Sequence, residues 1–126
     1  MIGASALIIN GKKILLARRS AKAQHYPGYW GCPGGRAEAG ETPEQTVARE
    51  LKEELGVTFT PMRLFAHGQL PDRETYRFLG TISGKITMQK SELSGYQWFS
   101  YAEAIKLPLA FDYREILEKA HQEQLL

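Results

Sequence analysis

The chain has 126 residues, which is enough for one compact domain and too few for two of ordinary size. Hydrophobic residues make up 43% and charged residues 24%, a composition that is typical of globular proteins and excludes a disordered chain. The formal net charge of +2, from 16 basic and 14 acidic residues, gives no reason to expect binding to duplex nucleic acid.

The longest strongly apolar segment, Ala4 to Ile9, is much shorter than the roughly 20 residues that a membrane-spanning helix needs. No basic segment precedes it, so we expect neither a secretory signal nor a membrane-bound protein. Cys32 is the only cysteine, which excludes an intramolecular disulfide and a zinc site built from cysteines. We therefore expect a cytoplasmic protein.

The first predicted elements are two strands joined by a tight turn. Apolar residues run from Ala4 to Ile9 and from Ile14 to Ala17, on either side of Asn10-Gly11, a pair typical of hairpin turns. The segment from Arg18 to Gly40 is rich in Gly, Pro and Ala, and we interpret it as a loop that contains one short strand at most.

A helix is predicted from Thr42 to about Leu55. Thr42 suits the N-cap, Pro43 suits the first helical position, and Gln45 completes a capping box with Thr42. Gly56 follows the last helical residue, and glycine readily adopts the left-handed conformation that ends many helices.

Strands and short helices follow in the rest of the chain. Strand segments are predicted at Val57–Phe59, Met62–Ala66 and Tyr96–Phe99, and a second hairpin is predicted around Ser83-Gly84, between Thr75–Ile82 and Lys85–Gln89. Two short helices are predicted after Ser100 and Asp112, each capped with the glutamate three residues later, Glu103 and Glu115. The last helix carries apolar residues at helical spacing: Tyr113, Ile116, Leu117 and Ala120. Strands interspersed with helices indicate an α/β or α+β fold with helices packed on a mixed sheet.

The helix that begins after Thr42 carries three glutamates on one side. At about 100° per residue, Glu50, Glu53 and Glu54 fall within about 100° of arc. Like charges at this spacing cost an isolated helix about 0.2–0.5 kcal/mol per pair, so something should offset their repulsion. An adjacent arc is apolar and can pack on the sheet: Val47, Ala48, Leu51 and Leu55.

A divalent cation would offset this repulsion, because Mg²⁺ and Mn²⁺ take oxygen ligands and usually retain waters and phosphate oxygens. Glu41, just before the helix, can add a carboxylate or orient a partner. Arg49 can hold one carboxylate through a bidentate hydrogen bond. The alternative is a solvated acidic helix face that Arg49 and Lys52 balance.

One segment carries the pattern of a known family. It reads Gly35, five residues, Glu41, seven residues, then Arg49-Glu50-Leu51-Lys52-Glu53-Glu54-Leu55-Gly56-Val57. This spacing resembles the signature box of the Nudix hydrolase family at every fixed and aliphatic position. Further similarities lie outside the box, at Arg18-Arg19, Pro33-Gly34-Gly35 and Tyr96-Gln97-Trp98-Phe99.

The resemblance implies a single Nudix domain over residues 1–126, folded as an α/β/α sandwich with a mixed β-sheet and a loop–helix–loop catalytic motif. It also implies hydrolysis of a phosphoanhydride bond in a nucleoside diphosphate linked to another moiety, with Mg²⁺ or Mn²⁺ as cofactor. The metal ligands that it implies are Glu50, Glu53, Glu54 and the backbone carbonyl of Gly34. Arg49 would orient the glutamates. The general base is Glu50 or Glu53, and the sequence leaves that choice open.

Outside the box, Glu92 precedes the last strand, where MutT-type relatives have a glutamate that serves as ligand or base; it can equally be a solvated loop carboxylate. Arg19 and Arg36 are candidates for contacts with the anionic substrate, and a surface salt bridge is the alternative for Arg19. Trp30 and its neighbour Tyr29 can stack on a base or fill the core.

Asp112 lies where some relatives recognise the nucleobase, and it is explained equally well as a helix cap. Tyr76 and Phe78 are expected in the core. The histidines have no metal-type spacing and are expected to be structural or exposed: His25, His67 and His121.

Three functions fit these residues best, and a fourth, an RNA-processing protein that acts on capped ends, ranks last because it would need a larger basic surface than Lys12-Lys13, Arg18-Arg19 and Lys22 supply. The first is a (deoxy)nucleoside triphosphate pyrophosphohydrolase, which the shortness of the chain favours. The second is a pyrophosphatase for ADP-ribose or another nucleoside diphosphate sugar. The third is a nucleotide-sensing module without turnover, which the complete set of box glutamates argues against. We expect a small-molecule nucleotide substrate, no stable nucleic-acid partner, no membrane contact, and a monomer or homodimer.

Overall fold

The computed structural model describes residues 1–89 and 92–126. Within them the chain forms a mixed β-sheet with flanking helices, which confirms the predicted fold class. None of the helices in the described residues is long and apolar enough to span a bilayer. The elements are β1 (Ile2–Asn10), β2 (Lys13–Arg19), β3 (Trp30–Gly31), β4 (Gly34–Arg36), α1 (Pro43–Leu55), β5 (Thr58–Leu70), β6 (Arg73–Ser83), β7 (Leu93–Phe99), α2 (Tyr101–Ala104) and α3 (Tyr113–Gln122).

The chain divides into two compact units. The first comprises Met1–Ile8 and Pro33–Gln89, and the second comprises Ile9–Cys32 and Lys90–Leu126. Strand β1 contributes residues 2–8 to the first unit and residues 9–10 to the second. The assignment of residues 1–126 to a single domain stays a prediction.

In the first unit, β1 runs parallel to β6 and antiparallel to β4, and β5 pairs antiparallel with β6. Helix α1 packs against β4 and β5. Its buried residues are Thr46, Val47, Glu50, Leu51, Glu54 and Leu55. The buried side of the helix therefore includes Glu50 and Glu54 as well as apolar residues. Ala48, which we expected on the packed face, lies at the edge of this side and is exposed.

The ends of α1 confirm the sequence prediction. Thr42 and Gln45 form the reciprocal capping box, and Gly56 ends the helix with a positive φ of 67°.

The predicted hairpin around Ser83-Gly84 is wrong, because its second segment, Lys85–Gln89, forms no strand. Instead the N–H groups of Thr87 and Gln89 donate to carbonyls at the end of α1, each over 2.8 Å. The segment thus satisfies acceptors that every helix end leaves open.

Strand β5 is one long strand rather than two short pieces. Two irregularities interrupt its register with β6, between Pro61 and Arg63 and between Leu64 and Ala66. Its hairpin with β6 turns between Leu70 and Arg73, a turn that the sequence patterns did not indicate. The bulges break the alternation of side chains, which explains why the strand looked like two.

In the second unit, β2 pairs antiparallel with the end of β1, with β3 and with β7. The predicted first hairpin is confirmed, but its two turn residues are Gly11 and Lys12, with φ angles of 58° and 64°. Positive φ at both positions is the requirement of a type I′ turn. Strand β7 begins at Leu93, three residues earlier than predicted.

The helices of the second unit form where predicted. Ser100 and Glu103 make a capping box at α2. The expected cap at Asp112 is wrong, because its side chain makes no capping hydrogen bond to α3. Its backbone, at φ −100° and ψ 15°, lies outside the extended conformation typical of an N-cap. The apolar residues that we predicted on α3 are buried: Tyr113, Ile116, Leu117 and Ala120.

Candidate metal centre

The three glutamates of α1 differ sharply in exposure. Glu50 and Glu54 are buried, with exposed fractions of 7% and 6%, whereas the Glu53 side chain is 56% exposed. Burial of a carboxylate is costly unless hydrogen bonds or opposite charges compensate it. A merely solvated acidic face, our alternative interpretation, does not describe Glu50 and Glu54.

The guanidinium of Arg49 forms hydrogen bonds with two glutamates of α1 and with Glu41, which precedes the helix. Its Nε and Nη2 donate to the two oxygens of Glu41 over 2.7 and 3.0 Å, which is a bidentate pair. Its Nη1 donates to Glu50 Oε1 over 2.9 Å and to Glu53 Oε2 over 3.1 Å. Nη2 also donates to the backbone carbonyl of Arg36 over 2.9 Å. The guanidinium therefore fixes the two glutamates that we considered as general base.

Glu41 in turn holds Arg49. Besides the arginine, its Oε1 accepts hydrogen bonds from the N–H of Glu38 over 2.8 Å and from Thr46 Oγ1 over 3.1 Å. The hydrogen bonds from Arg49, followed by that from Glu38, lower the pKa of Glu41 to about 2 from its ordinary 4.5. The same contact raises the pKa of Arg49. Glu41 thus orients a partner, one of the two roles that the sequence allowed for it.

Two glycines of β4 bring the backbone against the acidic groups. The N–H of Gly34 donates to Glu54 Oε1 over 3.1 Å. A Cβ added at Gly35 would lie 2.5 Å from Glu50 Cδ and 2.7 Å from both carboxylate oxygens. Real side chains never approach so closely, so Glu50 can occupy this position only beside a glycine. Helix periodicity did not reveal that the position of the Glu50 carboxylate requires a glycine at residue 35.

The donor set fits a hard divalent cation. A carboxylate oxygen of Glu50 lies within 4.8 Å of one of Glu54, and both groups are buried. Oxygen ligands stand about 2.0–2.6 Å from Mg²⁺ or Ca²⁺, so two ligand oxygens of one ion lie within about 5 Å of each other. A cation there would also balance two like charges that burial forces together. The carbonyl of Gly34 stays a predicted ligand.

The remaining predicted site residues are placed as follows. Glu92 is exposed, belongs to the second unit, and accepts a hydrogen bond at its backbone carbonyl from the N–H of Ser20. Arg36 is exposed, and its backbone carbonyl accepts a hydrogen bond from Arg49. The Nε of Arg19 donates to the carbonyl of His25 over 2.8 Å. Their roles toward metal or substrate stay predictions.

Trp30 is half-buried, and its ring packs edge-on against Phe99 with centroids 5.1 Å apart. Its neighbour Tyr29 is 39% exposed. Asp112 is half-buried directly before α3. Tyr29 is the more accessible of the two rings, and the roles of Trp30 and Asp112 toward the nucleoside stay predictions.

The aromatic and histidine predictions on β5 and β6 have mixed outcomes. Phe78 is in the core as expected. Tyr76 is only half-buried, and its hydroxyl donates to Glu74 over 3.0 Å. His67 contacts the same carboxylate over 2.7 Å and lowers the pKa of Glu74. His25 and His121, which lie outside these strands, are exposed, which is one of the two outcomes expected for the histidines.

Comparisons with known proteins give one family model, several curated relatives and several solved structures that resemble this chain. A family model described as the NUDIX domain matches residues 1–120. The NAD-capped RNA hydrolase NudC of Haemophilus influenzae is 37% identical over 98 residues, which are 75% of this chain and 37% of that protein. The 8-oxo-dGTP diphosphatase of Proteus vulgaris is 40% identical over 75 residues, 57% of this chain and 65% of that protein.

The chain therefore spans little more than a third of the length of the NudC proteins that it matches. Among solved structures, a MutT NUDIX hydrolase from Burkholderia pseudomallei superimposes with a TM-score of 0.83 at 27% identity. That match covers 94% of this chain and 95% of the other.

Proposed function

Because this chain belongs to the NUDIX domain family, we propose that it hydrolyses a phosphoanhydride bond in a nucleotide, with a divalent cation held by α1. The observation that carries this proposal is the pair of buried carboxylates of Glu50 and Glu54, with oxygens within 4.8 Å of each other. Mg²⁺ is the proposed ion and Mn²⁺ its substitute, since both prefer oxygen ligands.

The proposed ligands are Glu50 and Glu54, with Glu53, Glu92 and the carbonyl of Gly34 as further donors. A bound cation would neutralise charge on the diphosphate and activate water for attack on phosphorus. Arg49 keeps Glu50 and Glu53 in fixed orientations, because both carboxylates accept from the same Nη1. The general base is one of these two glutamates: Glu50 is buried beside Arg49, whereas Glu53 is open to solvent.

We propose a (deoxy)nucleoside triphosphate as the substrate, cleaved to a nucleoside monophosphate and pyrophosphate. The similarity to the 8-oxo-dGTP diphosphatase of Proteus vulgaris supports this substrate class. Arg19 and Arg36 are the proposed phosphate contacts, since arginine matches phosphate geometry through paired N–H groups. Trp30 and Asp112 are the proposed contacts to the nucleoside.

A diphosphate that joins a nucleoside to a second group, as in a dinucleotide or ADP-ribose, is the second candidate. The 37% identity to NudC, whose name states hydrolysis of NAD-capped RNA, favours it. The two candidates differ in products, because such a diphosphate gives two monophosphates and no pyrophosphate.

A substrate panel tests the proposal. The purified protein is incubated with dGTP, 8-oxo-dGTP, ATP, NADH and ADP-ribose, each with Mg²⁺, Mn²⁺ or EDTA, and the products are separated by ion-exchange chromatography. We expect pyrophosphate release from a triphosphate that requires the cation. Cleavage only of NADH or ADP-ribose supports the second candidate, and no cleavage of any compound favours a sensing module instead.

Glu54→Gln removes one charge from the proposed ligand pair at nearly constant size. We expect turnover to fall by about two orders of magnitude or more, as loss of cation-based charge stabilisation predicts. Glu118→Gln is the matched control, because Glu118 is an exposed glutamate of α3. Equal rates in both variants would contradict the assignment.

A further inference from the structure

The second unit contains two aromatic residues in an unusual backbone conformation. Tyr26 and Phe111 have φ angles of 49° and 51°, in the left-handed region that bulky side chains rarely adopt. Their rings lie against each other, with centroids 4.8 Å apart and planes tilted by 60°. Strained conformations of this kind persist where the surrounding structure enforces them, and they are concentrated at functional sites.

Hydrogen bonds to Arg19 hold the loop between β2 and β3, which carries Tyr26 and a second tyrosine, Tyr29. The N–H of Arg19 donates to the carbonyl of Tyr29 over 2.8 Å, and the N–H of Gly28 donates to the carbonyl of Arg19 over 3.1 Å. The Nε of Arg19 donates to the carbonyl of His25 over 2.8 Å. The N–H of Tyr29 also donates to the carbonyl of Tyr26 over 3.2 Å. These hydrogen bonds constrain the backbone at both tyrosines.

The same loop presents aromatic surface to solvent. Tyr26 is 43% exposed and Tyr29 is 39% exposed, with ring centroids 5.5 Å apart. The guanidinium carbon of Arg19 lies 5.2 Å from the centroid of the Phe111 ring. Exposed rings beside a cation match a ligand that has a planar ring and a phosphate, because rings stack on rings and guanidinium groups attract phosphate.

We propose that Tyr26 and Tyr29 form a stacking surface for the planar ring of a bound nucleotide. Phe111 is a positioning residue, since its ring packs against Tyr26 and under Arg19. Arg19 supplies positive charge for the phosphate of the same ligand. This inference rests on the proposed function in one respect, that the substrate is a nucleotide.

Binding without catalysis tests the stacking surface. AMP and ribose 5-phosphate are titrated into the full chain in EDTA, with dissociation constants from calorimetry. Tyr26→Ala and Tyr29→Ala should each weaken AMP binding by about 5- to 100-fold, the range expected for loss of one stacked ring. Both variants should leave the affinity for ribose 5-phosphate, which lacks a ring to stack, within about twofold of the parent chain.

The control variant is Tyr96→Ala, which removes another exposed tyrosine of the same unit, on β7. It should leave AMP binding unchanged. The proposal is overturned if AMP affinity stays within twofold in both loop variants, or if the affinities for AMP and ribose 5-phosphate fall equally. Because the cation is absent, the result is independent of whether the protein cleaves any nucleotide.

Phe111→Gly separates positioning from stability. Glycine adopts positive φ without strain, so this variant removes the ring while relaxing the backbone. We expect weaker AMP binding and unchanged ribose 5-phosphate binding, whereas a general loss of structure would weaken both. Unchanged AMP affinity in a folded Phe111→Gly chain would show that Phe111 does not position Tyr26 for binding.

Discussion

Arg49 and Glu41 are eight residues apart in the chain, and their side chains form a two-point hydrogen-bonded pair. The exposed fractions of the two side chains are 22% and 16%, so solvent screens their attraction only in part. The same guanidinium also binds Glu50 and Glu53. The spacing of residues along α1 predicted which carboxylates lie on one side of the helix. It could not predict the geometry of the pair between Arg49 and Glu41, because Glu41 lies in the loop before the helix and outside the helical repeat.

The pKa of Glu41 predicts a pH-dependent contribution to stability. The folded pKa, about 2, lies below the ordinary value of 4.5. The unfolded chain therefore binds more protons between these values, and the stabilisation is present above about pH 4.5 and is lost as pH falls toward 2. Glu41→Gln removes this titration. The difference in Tm between the parent and Glu41→Gln, measured in EDTA, should be largest above pH 5 and shrink toward pH 2; a constant difference would contradict the pairing.

Gly35 offers a second test at a single residue. In Gly35→Ala the new Cβ would overlap the Glu50 carboxylate, 2.5 to 2.7 Å away, so this side chain must move. We expect Mn²⁺ affinity to fall by about tenfold or more, since metal ligands tolerate little displacement. Gly95→Ala is the control, because a Cβ there meets no atom within 4 Å. Equal Mn²⁺ dissociation constants for the two variants, from electron paramagnetic resonance, would contradict the placement of Glu50.

Among the elements, α1 was the most predictable and the segment after β6 the least. Caps are local signals, and Thr42, Gln45 and Gly56 fixed both ends of the helix correctly. Residues 85–89 alternate like a strand, yet their partners are the carbonyls at the end of α1. A sequence pattern indicates which side chains face inward. It does not specify which carbonyl groups accept hydrogen bonds from the backbone N–H groups of the segment.

This contact makes a prediction at the scale of the element. Thr87→Pro removes the N–H that donates to the carbonyl of Leu55, so the end of α1 should lose stability. We expect the free energy of unfolding to fall by at least about 0.5–1.5 kcal/mol in urea denaturation. Thr87→Ala keeps the N–H and should lose much less. If both variants unfold at the same urea concentration, the segment does not support the helix.

For the whole molecule, the class of fold and the family followed from the sequence, while the division into two compact units did not. Arg49 and the proposed glutamate ligands of α1 lie in a short box whose residue types and spacing single them out without tertiary information, whereas Glu92 and Arg19 lie outside it. The aromatic loop that contains Tyr26 has no such pattern. Its features are a positive φ and ring contacts that arise only when distant segments meet, as with Phe111.

The most direct test of the central claim is the position of a divalent ion on the folded chain. Crystals grown with MnCl₂ and measured at the manganese absorption edge locate the ion by its anomalous scattering. We expect a peak within about 2.5 Å of carboxylate oxygens of both Glu50 and Glu54. A peak elsewhere, or none at millimolar Mn²⁺, would contradict the claim that these buried carboxylates hold the ion required for hydrolysis.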